Sequence, residues 1–128
     1  MARMKCAVTL SLVPETRRGP FVFCGDLPGS FARAAELGFD GVELFPSSAA
    51  ETDAAQVAQL CADYRLRVAA VGTGAGWVKH RLRLTDPDAA ARRRAIDFAA
   101  DIVGLGARLG APAIVGSMQG REEEGAPR

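Results

Sequence analysis

The chain is poor in the residues that mark specialised small proteins. In 128 residues it has three cysteines, one histidine, one tryptophan and one tyrosine, and aromatics make up 6%. Cys6, Cys24 and Cys61 are odd in number and none stands in a Cys-x-x-Cys pair, which excludes a zinc knuckle, a dithiol redox motif and a disulfide-dense miniprotein. No apolar run approaches the roughly 18 residues of a membrane span. The stretch Cys6–Val13 is interrupted by Thr9 and Ser11, stops at Pro14-Glu15 and lacks a small-x-small cleavage site. It is therefore not read as a secretory leader, and reduced thiols in a cytoplasm are expected. Sixteen basic against fifteen acidic residues leave a formal charge of +1. That is no overall footprint for nucleic acid or an anionic membrane, and neither is expected as a partner.

What is present suits a globular α/β domain. Hydrophobic residues are 48% and charged residues 24%, with 24 alanines and 14 glycines. Small side chains of that kind let helices lie close against a sheet. Arginine outnumbers lysine 14 to 2, a ratio read as coding bias. The length fits one domain or part of a larger one.

Apolar runs alternate with amphipathic segments along the chain. Ala7–Val13 reads as a buried strand closed by Pro14, followed by a loop to Gly25. Asp26 is a good N-cap for a helix carrying Leu27, Phe31, Ala34 and Ala35 on one face, with Gly38 at its left-handed stop. Gly41–Phe45 is a second strand. Thr52 or Asp53 caps a second helix with Val57, Leu60, Cys61 and Tyr64 as the buried stripe. Val68–Val71 is a third strand, followed by the glycine-rich turn 72–76 and a loop bearing Trp77, Lys79 and His80. Thr85-Asp86-Pro87 predicts a third helix to about Leu109, burying Ile96, Ala99, Ala100, Val103 and Ala107. Ala113–Gly116 is the fourth strand.

The order β-α-β-α-β-α-β, with strands apolar on both faces, implies a parallel sheet covered on both sides. A (β/α)8 barrel needs about 250 residues, so the expected architecture is the N-terminal half of a TIM barrel over 1–121. Residues 122–128 are expected to be an acidic, disordered tail or a truncated loop.

Five segments in this order carry a resemblance: Gly25-Asp26-Leu27, Gly38-Phe39-Asp40-Gly41-Val42-Glu43-Leu44, Val71-Gly72-Thr73-Gly74, Leu82-x-Leu84-Thr85-Asp86-Pro87, and Leu109-Gly110-Ala111 leading to Gly116–Arg121. From Lys5 to about Arg121 the chain resembles the sugar phosphate isomerase/epimerase superfamily with its xylose isomerase-like TIM barrel. The nearest pattern is that of ketose and keto-sugar-acid 3-epimerases, including 5-keto-gluconate epimerase-like proteins. The resemblance implies a divalent metal (manganese, magnesium or zinc) at the barrel mouth and two glutamates moving a proton next to a ketone. It also implies that the Glu, Asp, His and Glu ligands come from strands five to eight, beyond this sequence. Neither catalytic nor metal-binding residues are therefore expected in this chain, and alone it is expected to be inactive.

The expected partner is a small sugar or sugar acid, and the substrate-binding candidates are Glu43, Thr73, Gly74, Trp77, His80, Ser117 and Arg121. Glu43 is the lone charge in an apolar strand, so it must be paired or face a wet cavity. His80, on a loop with Trp77, Lys79, Arg81 and Arg83, could approach a sugar hydroxyl or a carboxylate, but reads first as an exposed loop residue; as a metal ligand it lacks a second histidine or a suitably spaced acid. Gly72–Gly76 lacks the Gly-x-Gly-x-x-Gly spacing of a dinucleotide site. Arg121 suits an acidic or phosphorylated substrate, or pairs with Glu122–Glu124. Arg92-Arg93-Arg94 fans around a helix and reads as a solvated face. The alternative to an isomerase fragment is a non-catalytic half-barrel that homodimerises through exposed sheet edges as a sugar-binding or interaction module. An apurinic endonuclease, which shares the barrel, is disfavoured by the single histidine and weak net charge.

Overall fold

The computed structural model describes residues 2–122. The chain alternates strands and helices: β1 (Ala7–Ser11), β2 (Phe23–Cys24), α1 (Leu27–Glu36), β3 (Gly41–Phe45), α2 (Ala54–Tyr64), β4 (Arg67–Gly72), α3 (Ala75–Val78), α4 (Ala89–Leu109) and β5 (Ala113–Ile114). All strand pairings are parallel, in the order β2-β1-β3-β4-β5. From β1 to β5 the sheet is wound in one direction. Right-handed crossovers then place every connecting helix on the same side, as in a barrel and unlike a doubly wound fold. The α/β class and partial-barrel architecture are thus as expected.

The caps follow local chemistry. Asp26 accepts from the Gly29 N–H at 3.0 Å, and Asp53, rather than Thr52, accepts from the Gln56 N–H at 3.0 Å. Gly38 and Gly110 take the left-handed conformation after α1 and α4, at φ 82° and 67°. The core lies between sheet and helices, with Leu10, Val42, Leu44, Val68 and Val71 packed against Phe31, Ala34, Val57, Ile102 and Leu105.

Several expectations are corrected. The segment before Gly25 is not all loop, because Phe23–Cys24 pairs with Leu10–Ser11 as an outer strand. Two residues are too few to show a pattern in sequence. The glycine-rich turn leads into α3, so Trp77 is helical rather than in a loop. Helix α4 begins at Ala89, capped by Asp88 through the Ala91 N–H at 2.7 Å, not at Thr85-Asp86-Pro87. Its buried face is Ala95, Ile102, Leu105 and Gly106, while Ile96 and Val103 are 49% and 55% exposed. The two faces differ by one residue, or about 100° of rotation. Both satisfy helical periodicity in this alanine-rich segment, and only packing against β4 chooses between them. Tyr64, expected in the buried stripe of α2, stands 37% exposed at its last turn.

The sheet is also not covered on both sides among the described residues. Val42 and Leu44 face the helices, so by strand alternation Glu43 and Phe45 face the other way. A bulge after Val42 sets Glu43 opposite Thr9 on one side and Ala70 on the other. No helix is long and apolar enough to cross a membrane, among the described residues. The expected acidic tail lies outside the described residues, apart from Glu122.

Candidate functional site

In a parallel barrel-type sheet, side chains for chemistry gather at the C-terminal strand ends. Here β4 runs into Thr73, whose N–H and hydroxyl both donate to the Ile114 carbonyl at 3.0 Å. That pair of bonds locks the ends of β4 and β5 together. Gly74 follows where any Cβ would collide with the Phe45 ring, so a glycine is required for α3 to start there.

Helix α3 carries Trp77, and the Arg81 guanidinium lies 5.4 Å from its ring centroid. The following loop packs on the second of two 3-10 turns, Ser117–Gln119. The Leu84 N–H donates to the Met118 carbonyl at 2.9 Å, and Met118 is fully buried. Gly120, at φ 82°, passes so close to Thr85 that a side chain would not fit.

Between these segments opens a cavity of about 690 Å³ lined by Trp77, Arg83, Ser117, Gln119, Gly120, Arg121 and Glu122. Its size is that of a small-molecule site. Arg83 also pairs with Asp86 at 3.6 Å, which fixes its stem. An indole face, a hydroxyl, an amide and two guanidinium groups can hold a polyol bearing an acidic group.

Of the expected residues, Trp77, Ser117 and Arg121 come together at this cavity. Thr73 and Gly74 are not in its lining: Thr73 is spent on the Ile114 carbonyl and Gly74 lies against the Phe45 ring. His80 stands apart, its Nε2–H donating to the Ser47 carbonyl at 2.9 Å and its ring 5.3 Å from Phe98. A carbonyl can only accept, so Nε2 carries a proton in this contact. Glu43 is half-buried on the helix-free face and makes no hydrogen bond or ion pair among the described residues. It faces open space rather than a partner.

Arg83 and Gln119 were not singled out as candidates. Arg83 lies between Leu82 and Leu84 in an irregular segment, a faint signal of a polar side chain turned away from its neighbours. Gln119 had none. The metal fits less well. Among the described residues no three His, Cys, Asp or Glu side chains converge, and neither Glu43 nor His80 has a companion. The described residues do not make a metal centre.

A parallel sheet wound in one direction, with a ligand-sized cavity at its C-terminal strand ends, defines a barrel-type α/β scaffold. A sequence profile for the xylose isomerase-like TIM barrel matches residues 31–128. The chain belongs to that family. No curated protein matches it.

Proposed function

We propose that this chain is the N-terminal portion of a divalent-metal-dependent isomerase or epimerase acting on a sugar, sugar acid or sugar phosphate by proton transfer next to a ketone. The metal-binding and catalytic residues lie outside it, and the nearest subfamily is the keto-sugar-acid 3-epimerases. The observation that supports this reading is the cavity holding Trp77, Arg83, Ser117, Gln119 and Arg121 in a xylose isomerase-like chain. The residues here bind and orient. The indole presents an apolar face to sugar C–H groups, Ser117 and Gln119 meet hydroxyls, and a guanidinium fork matches a carboxylate or phosphate. A cytoplasmic location goes with this reading.

Trp77 is the only tryptophan, so its emission reports on this cavity alone. Titration with 5-keto-gluconate should give a saturable change, weaker with fructose and weaker again in Arg121→Ala. No response to either ligand sinks the assignment.

A second reading is favoured by the sheet edges, where Ile114 and Val115 are 44% and 46% exposed. Two copies joined at these edges would make a non-catalytic sugar-binding module. The edge strands are β2 and β5, because β2 covers the upper part of β1. Sedimentation equilibrium showing a monomer at micromolar concentration excludes this version.

A further inference from the structure

The opposite end of the sheet, where the strands begin, carries charge that the site above does not use. A cavity of about 440 Å³ opens there, with Lys5, Cys6, Asp40, Arg65 and Arg67 in its lining. Its one carboxylate is already engaged. Asp40 accepts from the Cys6 N–H at 2.9 Å and from Arg3, and the Cys6 N–H first, with Arg3 behind it, holds the carboxyl below its ordinary range. Lys5, Arg65 and Arg67 have no ion pair among the described residues. Lys5 lies close enough to Asp40 to help hold its carboxyl down, so three cations share one concave surface with a single carboxylate, and Arg65 and Arg67 are the two without an acidic partner there.

Their backbones are fixed. The Asp40 N–H donates to the Cys6 carbonyl at 2.8 Å and the Arg67 N–H to the Asp40 carbonyl at 3.2 Å, pinning the residues beside Lys5 and at the start of β4. Arg65 caps α2 in the left-handed conformation, at φ 54°. Helices α1 and α4 use glycine in that conformation, and here the chain carries a strained arginine. Cationic side chains carried by a fixed backbone around a pocket attract an anion, and only their rotamers remain to be ordered when it binds.

We propose that this N-terminal face is a binding site for a small phosphate-bearing molecule with two or more negative charges, separate from the sugar cavity. Arg65 and Arg67 supply guanidinium forks for phosphate oxygens, and Lys5 adds a point charge. The cavity is large enough for a compact ligand and too small for a folded partner. The exposed Cys6 thiol on its wall reports on occupancy.

The test is calorimetric titration of the 128-residue chain with inorganic pyrophosphate at low and physiological salt. Saturable binding is expected, weakened roughly tenfold in Arg67→Ser. The same loss is expected in Arg65→Gly, which relieves the backbone and cannot be dismissed as misfolded. With each rate taken relative to that of a free cysteine, Cys6 modification by the dianionic 5,5′-dithiobis(2-nitrobenzoate) should be enhanced over that by neutral 4,4′-dithiodipyridine, lose this enhancement in high salt, and slow when pyrophosphate is present. Unaltered affinity in both variants overturns the proposal, as does a Cys6 rate indifferent to reagent charge. Tighter binding of a poly-glutamate peptide or of RNA than of pyrophosphate equally overturns it, in favour of a macromolecular partner.

Discussion

Two glycines in the same helix should respond oppositely to the same substitution. Gly104 and Gly106 both lie inside α4, where replacing glycine by alanine normally stabilises a helix by about 0.8 kcal/mol. A Cβ on Gly104 meets nothing within 4 Å, so Gly104→Ala should deliver that gain. On Gly106 the Cβ would stand 2.5 Å from the Ala111 carbonyl oxygen, against about 3.3 Å for a close C···O approach. The obstacle is backbone, and it is tied in place: the Ala111 N–H donates to the Gly106 carbonyl at 2.9 Å. Relief therefore requires moving the α4–β5 turn and with it the start of β5. Overpacking of this kind costs about 1–3 kcal/mol, which outweighs the propensity gain. Gly106→Ala should be net destabilising by about 1 kcal/mol, a fall of roughly 4 °C in Tm for a domain of this size. Urea unfolding followed by circular dichroism gives both numbers. If the two variants shift the midpoint in the same direction, the close approach of α4 to the turn is wrong.

Arg65→Gly should raise stability by about 1 kcal/mol by releasing the left-handed strain, read in the same urea assay. Asp26→Ala removes the α1 cap and should cost about 1 kcal/mol. Asp40 has a folded pKa below its unfolded value, so its contribution is complete above the ordinary carboxylate pKa near 4 and is lost as pH falls through the folded value. Asp40→Asn should accordingly flatten the acid limb of the stability profile and leave its shape near neutrality unchanged. Burial pushes the Cys61 thiol up, and Cys6 is exposed, so iodoacetamide followed by peptide mass mapping should find Cys6 modified first and Cys61 well behind.

Much of the architecture is local in origin and was readable without coordinates. Short apolar runs at β1, β3 and β4, acidic caps at Asp26 and Asp53, and glycine stops at Gly38 and Gly110 act over a few residues each. The sequence of such units carries both the parallel sheet and the family. Tertiary contacts decided the rest. Which face of α4 is buried depends on β4, since an alanine-rich helix offers two equivalent stripes. The pairing of Phe23–Cys24 exists only because β1 supplies the neighbouring backbone. Trp77 is 40 residues from Ser117 and its neighbour Arg121, and they meet because Thr73 ties β4 to Ile114 and the Leu84–Met118 bond joins the two loops. The cations around the strand starts show the same division: Lys5, Arg65 and Arg67 are scattered basic residues in a nearly neutral chain. Their convergence follows from parallel strands, which bring every beginning to one end.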